Sequence, residues 1–364
     1  MDHLRGAIGT LRRMSTLIGI DLGGTNMQIG VVDDRCTVIG RCRRKTRAEL
    51  GAKAVIERVA EGVRRACEDA GCALSDIAAV GIGVPGAIDM PRGVVLSAPN
   101  LQWFDLPVRE LFQKALGRPV VVDNDVNVAT WGEANLGAGR GHTELAGIWV
   151  GTGVGGGFVL GGKLYRGAYH TAGEVGQTIS TPFGGPAKRT LEQHASRTGM
   201  VHNLELLLLQ HPKSMLHELR AANEGRIGSK ELAAAYLKED PAAVEVIEHA
   251  ALLIGASIAN IVTLLSLSAV VVGGGVTEAL GDPFLKRIRK SFDRWVFPSD
   301  LRACTLVITE LVDDAGVLGA ALLARELAQT FNQTFNQTPK QTSKQSSKQS
   351  SKQSSKQSSK QTPT

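Results

Sequence analysis

The chain has 364 residues, 43% hydrophobic and 21% charged, enough to bury the cores of two ordinary domains without disulfide or metal staples. Its formal charge is +6, but Lys340, Lys344, Lys348, Lys352, Lys356 and Lys360 sit in an acid-free stretch after residue 328, and the other 35 basic residues balance 35 acidic ones. That neutral body argues against a basic nucleic-acid-binding domain, and five cysteines without a C-x-x-C pair argue against a disulfide framework or a zinc ribbon.

No apolar run of signal-peptide length precedes Leu17, so a cytoplasmic location is expected. Residues 17–21 and 27–33 read as strands joined by Gly23-Gly24-Thr25. Residues 52–70 read as a helix with an apolar stripe at Val55, Ile56, Val59, Val63 and Ala66. Residues 77–84 form the next strand, closed by Pro85-Gly86; residues 120–123 form another, and residues 126–135 a helix. Residues 250–275 carry no charge and are long enough to span a bilayer. Asn260, Thr263, Ser266 and Ser268 interrupt that run, which ends in Ala269-Val-Val-Val272 and three glycines. A buried helix leading into a buried parallel strand is the better reading, and no membrane partner is expected. From Lys340 the chain repeats Lys-Gln-Ser-Ser, which has almost nothing to bury and is expected to be disordered.

Strands alternating with helices predict an α/β fold with a mixed sheet. The first strand returns at an offset of 128 residues: Leu17-Ile-Gly-Ile-Asp-Leu-Gly lies over Leu145-Ala-Gly-Ile-Trp-Val-Gly. Each copy is followed by a glycine turn and a second strand, at residues 27–32 in the first and 158–160 in the later. Two such units predict a duplicated fold with a cleft between its halves.

Several segments carry chemistry. In Asp21-Leu22-Gly23-Gly24-Thr25-Asn26, glycines at a strand end let backbone N–H groups converge on an anion such as phosphate. Thr25 and Asn26 add side-chain hydrogen bonds, and Asp21 is placed to hold Mg2+ through water; a plain hairpin turn is the alternative. Gly151-Thr152-Gly153 opens a second glycine turn, whose strand–turn–strand setting lacks the context of a dinucleotide fingerprint. Gly273-Gly274-Gly275 is a third, where a nucleoside can lie against bare backbone. Asp125, in Asp123-Asn124-Asp125 after a strand, suits a base accepting a hydroxyl proton; a helix N-cap at Asn124 or Asp125 is the competing reading. Asn100 and Glu174 are polar residues within apolar or glycine-rich runs and suit recognition of several hydroxyls.

In order along the chain, Asp21–Asn26, Gly83-Val-Pro-Gly86, Asn100-Leu-Gln-Trp103, Asn124-Asp125, Gly151–Gly157, Ala172-Gly-Glu174 and Gly273–Val276 resemble the ROK family (repressors, open reading frames and sugar kinases), in particular its glucokinase-type members. The resemblance runs from about residue 17 to 325. It implies a duplicated actin-like ATPase (ribonuclease H-like) fold, with two domains around a nucleotide and sugar cleft. The implied layout is an N-terminal extension (1–16), a smaller domain (17–122) joined by a C-terminal helix at about 313–328, a larger domain (123–312) and the tail (329–364).

The same resemblance implies phosphorylation of a hexose, most simply glucose, at its 6-hydroxyl by ATP with Mg2+. Asp125 would be the catalytic base, and Gly86, Asn100, Asn124, Glu174, Gln177 and Glu192 would line the sugar pocket. The turns at Gly23–Asn26 and Gly151–Gly153 would grip the ATP phosphates, with Gly273–Gly275 near the nucleoside. Kinases for N-acetylmannosamine, fructose or mannose, and polyphosphate-using glucokinases, are the alternatives; a non-catalytic sugar sensor is disfavoured by retention of Asp125 and all three turns. A homodimer is common in such kinases. A repressor of this family carries a winged helix ahead of the body, and about sixteen residues precede Leu17 here.

One departure stands out. Family members commonly follow Ala-Gly-Glu with Gly-His and a Cys-x-Cys-Gly-x-x-Gly-Cys zinc cluster. Here Gln177 replaces the His, and Phe183, Gly185 and Thr190 fall at the cysteine positions. None offers the thiolate or imidazole that zinc requires, so no structural zinc is expected.

Overall fold

Two strands with almost wholly buried cores start the fold. β1 (Thr16–Leu22) and β2 (Asn26–Val32) pair antiparallel, from Leu17 opposite Val32 to Leu22 opposite Met27. β3 (Val38–Lys45) forms the sheet edge and exposes Arg41, Arg43 and Lys45, charges that discourage edge-to-edge association. The structure is a computed structural model and describes residues 16–183 and 188–337. α1 (Gly51–Asp69) buries the predicted stripe Val55, Ile56, Val59, Val63 and Ala66. β4 (Ile77–Val84) then lies parallel to β1. A small antiparallel sheet follows, made of β5 (Ala87–Asp89), β6 (Val94–Ala98) and β7 (Trp103–Leu106). α2 (Val108–Leu116) leads to β8 (Val120–Asn124), parallel to β4, and the main sheet has the order β3-β2-β1-β4-β8.

The second half repeats the plan. After α3 (Asp125–Leu136) come β9 (Leu145–Val150), β10 (Val154–Leu160) and β11 (Lys163–Tyr165), paired antiparallel in sequence. Helices α4 (Leu191–Ala195), α5 (Arg197–Gln210), α6 (Leu216–Ala222), α7 (Ser229–Leu237) and α8 (Pro241–Leu265) precede β12 (Ala269–Gly273). Then α9 (Gly275–Leu280), α10 (Asp282–Trp295) and β13 (Thr305–Ile308) complete the order β11-β10-β9-β12-β13, with β9, β12 and β13 parallel. Three antiparallel strands followed by two parallel ones thus recur in both sheets. The 128-residue offset that aligns Leu17 with Leu145 also separates Asn26 from Val154, the first residues of β2 and β10. The duplicated α/β fold expected from the repeat is present.

The uncharged run divides as its residue types dictate. α8 ends at Leu265, Ser266 takes a left-handed conformation, and Ala269–Gly273 is a wholly buried strand. Ala250, Ile254, Ile258 and Val262 of α8 belong to the core of the second half. Its length and mean hydropathy of 1.6 would suit a membrane, but 56% of its most apolar window is buried inside the protein. This is a core helix.

α11 (Ala315–Gln337) returns to the first sheet and lies across β1 and β4. The approach is so close that a Cβ on Gly19 or Gly81 would fall 1.8 Å from the carbonyl oxygen of Val317 or Ala320. α11 also crosses α3, where a Cβ on Gly319 would meet Val128 O at 1.7 Å. This glycine-lined crossing joins the halves. Buried Glu133 of α3 locks it by accepting the Leu311 N–H (2.8 Å) and the Ala138 N–H (2.8 Å).

Two expected boundaries shift. β8 runs to Asn124, so the first sheet extends past residue 122. α11 runs to Gln337, so residues 329–337, expected in the tail, continue the helix. Leu327 and Ala328 pack on the first half, and no proline interrupts the chain before Pro339. The N-terminal extension and the Lys-Gln-Ser-Ser repeat lie outside the described residues.

Candidate active site

β8 passes into α3 without a loop, and the three residues at the junction take three jobs. Asp123 is buried, 2% exposed, and its carboxylate meets Arg166 Nε at 2.7 Å and Nη2 at 2.6 Å. Its other oxygen accepts from the Asn124 N–H (2.8 Å) and from Asn127 Nδ2 (3.1 Å). Asn124 is the N-cap: its side-chain oxygen accepts from the Val126 and Asn127 N–H groups at 2.9 and 3.0 Å. Its Nδ2 donates to Gly86 O (3.1 Å), at a turn where Gly86 holds a φ of 99°. Asn124 therefore satisfies the helix end and fixes Gly86, which leaves one amide hydrogen for a ligand. Asp125 is the first helical residue, with its side chain in the cleft.

A cavity of about 250 Å³ opens on Asp125. Asp21, Gln28, Glu278 and Asp313 line it as well, together with Gly274 and Gly275. Burial pushes the Asp21 carboxyl up to about 7, with the charges of Asp125 and Asp313 adding to the rise. Burial likewise pushes Asp125 up to about 6; the Val126 N–H bond opposes this and the charge of Glu174 adds to it. Glu278 also lies above its ordinary range, through burial and then Asp313. Four carboxyls thus crowd one small space, a charge density that invites a cation. Among the described residues no three acid, imidazole or thiol groups converge closely enough to ligate a metal directly. A donor set of this kind fits Mg2+ only if it is held largely through water. Of the third glycine turn, Gly274 and Gly275 reach this cavity, whereas Gly273 packs beneath the Trp149 ring, 3.0 Å from where a Cβ would be.

A second cavity, of about 500 Å³, is lined by Asn100, Thr152, Gly153, Glu192 and His202 among others. Asn100 arrives from the turn between β6 and β7 and abuts Gly24 of the first glycine turn, where a Cβ would be 3.0 Å from the Asn100 Cβ. Glu192, on α4, accepts the Val154 N–H (2.9 Å) and the Gln177 Nε2 (3.1 Å). The charge of Glu174 acts on Asp125, and desolvation and then Glu192 raise its own carboxyl. Asn100 and Glu192 thus share one cavity, Gln177 is bonded to Glu192, and Glu174 lies within electrostatic reach of Asp125.

Backbone tethers hold the first two glycine turns. Buried Thr46 donates its hydroxyl to Gly23 O (2.6 Å) and its N–H to Thr25 O (2.8 Å). Thr25 and Asn26 themselves are exposed. At Gly151–Gly153, the N–H of Arg197 donates to Gly151 O and the Thr198 hydroxyl to Thr152 O, each at 2.8 Å.

The segment where the family resemblance would place a zinc cluster is closed by contacts within the protein. Ile179 and Thr190 form an isolated antiparallel bridge, and the Leu191 N–H donates to Thr178 O (3.0 Å). The Thr181 hydroxyl donates to Lys188 O (2.5 Å) and lies 3.0 Å from Nε2 of buried His194. The His194 ring in turn meets His249 edge-on at 5.4 Å. Thr190 caps α4, and Phe183 is fully exposed; Gly185 lies outside the described residues. These residues do not fit zinc. Elemental analysis of the purified protein is expected to find less than about 0.1 zinc per chain, against the four N/S ligands a structural site needs; one zinc per chain would refute this.

Sequence comparison decides the family: the ROK family profile matches residues 17–327. The chain belongs to the ROK family. It is 35% identical to a glucokinase of Streptomyces coelicolor, across 86% of this chain and 98% of that protein. It is 31% identical to a glucokinase of Thermotoga maritima, across 85% and 97%. Among solved structures, a ROK family glucokinase of Streptomyces griseus in complex with glucose and AMPPNP superposes with a TM-score of 0.76. Identity there is 35%, across 86% of this chain and all of that one. The actin-like ATPase fold of ROK sugar kinases is therefore the fold of this chain.

Sequence motifs alone missed part of this candidate site. Gln28, Glu278 and Asp313 stand beside Asp21 and Asp125 but come from three separate elements. The Asp313-Asp314 pair just before α11 was a legible signal, since acids favour helix N-termini. Arg166 gave none, because nothing in its sequence context marks it as the partner of Asp123.

Proposed function

We propose that this ROK chain is an ATP-dependent glucokinase that converts glucose to glucose 6-phosphate. The observation that carries the reading is the place of Asp125. It lines the cavity of acids and glycines and feels the charge of Glu174, while Asn100 and Glu192 line a second cavity and Gln177 bonds Glu192. The relatives named as glucokinases support glucose as acceptor and ATP as donor.

In this mechanism Asn100, Glu174 and Glu192 bind the ring hydroxyls, and Gln177 orients Glu192. Once the sugar covers it, each of these partners rejects a sugar lacking its hydroxyl. The glycine turns hold the donor phosphates through backbone N–H groups. Asp125 accepts the 6-hydroxyl proton as the sugar oxygen bonds to the γ-phosphorus and the bond to the β-phosphate oxygen breaks, releasing ADP. A carboxylate serves as base here because positioning and charge stabilisation dominate a loose phosphoryl-transfer transition state. Mg2+, held by Asp21 through water, would neutralise the charge on the donor. The reading places the enzyme in the cytoplasm, where glucose and MgATP meet.

The environment of Asp125 sets a pH dependence. The base works only when ionised, so kcat/KM is expected to rise with pH along an acid limb with an apparent pKa near 6. A limb in the ordinary carboxylate range near 4 would contradict this assignment.

The function itself is tested with a panel of acceptors. Initial rates with MgATP on glucose, mannose, fructose, N-acetylglucosamine and N-acetylmannosamine should show the highest kcat/KM for glucose. A higher value for another sugar would change the substrate but not the reaction class. No phosphorylation of any of them would overturn the reading.

A further inference from the structure

α5 begins at the second glycine turn, and its first side chain reaches that turn. The Arg197 guanidinium donates to Thr152 Oγ1 at 2.7 Å, while its backbone N–H donates to Gly151 O. Arg197 also lines a third cavity, of about 590 Å³, together with Arg220, Asn223 and Arg226. The one acid on its wall, Glu205, lies 3.9 Å from Arg220. Among the described residues neither Arg197 nor Arg226 has an ion-pair partner. Three guanidinium groups therefore share one carboxylate.

The cavity at Asp125 has the opposite balance: four carboxyls line it, and none of its lining residues is a lysine or arginine. A phosphoanhydride chain carries several negative charges, which backbone dipoles and one divalent cation leave partly unmatched. Positive side-chain charge must come from outside that cavity, and Arg197 is tied to a turn expected to hold phosphate. Guanidinium suits the task because its planar fork pairs bidentately with phosphate oxygens and stays charged at every working pH.

Resting on the kinase reading above, we propose that Arg197 binds the phosphoanhydride chain of the phosphoryl donor at the Gly151–Gly153 turn, with Arg226 as a second contact along the same cavity. The Thr152 hydroxyl holds the guanidinium in place. The recognised chemistry is a linked phosphate chain, which a nucleoside triphosphate and an inorganic polyphosphate both present.

The test compares wild type with Arg197→Gln, Arg197→Lys and Arg226→Gln, using MgATP and polyphosphate in separate arms at saturating glucose. Arg197→Gln is expected to raise the KM of whichever donor the enzyme uses by about ten- to a hundredfold, the range for a lost charged hydrogen bond. The KM for glucose should stay within about twofold. Arg197→Lys should fall between, keeping the charge but losing the fork, and Arg226→Gln should give a smaller rise. Binding of inorganic triphosphate, followed by calorimetry without turnover, tests Arg197 apart from the kinase reading. Wild-type turnover with neither donor would sink that reading, whereas unchanged triphosphate affinity in folded Arg197→Gln would sink this one. Should Arg197→Gln melt early, unchanged triphosphate affinity in Arg226→Gln would likewise overturn the proposal, as would a glucose KM that rises in step with the donor KM.

Discussion

Replacing Asp125 by asparagine is expected to lower kcat for glucose phosphorylation by about 10²–10⁴-fold, the usual span for loss of a positioned general base. Asparagine keeps the size of the side chain and an oxygen to accept the Val126 N–H, a bond of 2.9 Å in the wild type. The KM for glucose should therefore change little. The stability readout sharpens the test. Burial raises both Asp125 and Asp21, so the folded state binds protons more tightly than the unfolded chain. The stability these groups retain while protonated declines as pH climbs from the ordinary carboxylate range towards 6 and 7. Removing one charge from this cluster should thus leave the thermal midpoint at pH 8 equal to or above that of wild type. A variant that loses both activity and stability would mark Asp125 as structural instead.

Asp123 should behave in the opposite way. Asp123→Ala leaves the Arg166 guanidinium, whose side chain is 19% exposed, without its carboxylate, and frees the Asn124 N–H and the Asn127 amide. Breaking one side of a buried pair costs about 3–5 kcal/mol, mostly for the charge left behind. Against a typical total stability of roughly 5–15 kcal/mol, that is a large share. Chemical denaturation should show the loss, and the double variant Asp123→Ala/Arg166→Met should recover much of it. A change in Asp123→Ala below about 0.5 kcal/mol, ordinary for a surface site, would contradict the role assigned here. Two aspartates two residues apart thus separate cleanly, one assigned to chemistry and one to holding the helix start that presents it.

The sequence made one of these roles more legible than the other. Hydrophobic runs and glycine turns gave the strand–turn–strand units directly, because a buried strand must be apolar and its turn must tolerate unusual φ. The 128-residue offset then exposed the duplication, which the two sheet orders repeat strand for strand. β5, β6 and β7 were not visible as strands: each is at most five residues long and only partly buried, so alternation had no room to appear. Yet their turn delivers Asn100 to the cleft. The acid cavity was half legible, since Asp21 and Asp125 sit in recognisable motifs, whereas Glu278 and Asp313 join them only through the return of the chain after β12. Asn124 shows a limit of another kind. Its residue type fits both a hydroxyl ligand and an N-cap, and only the two hydrogen bonds to Val126 and Asn127 reveal that capping takes most of its capacity. The tail boundary failed for a similar reason, because a polar helix end and a disordered segment share a composition.

Phosphorus NMR of the product mixture from glucose and MgATP tests the central claim most directly, with wild type and Asp125→Asn run side by side. The account predicts one sugar phosphate signal, that of glucose 6-phosphate, formed in step with ADP by the wild type and nearly absent with the variant. Inorganic phosphate without sugar phosphate, phosphate on another hydroxyl, or equal rates from the two proteins would contradict it.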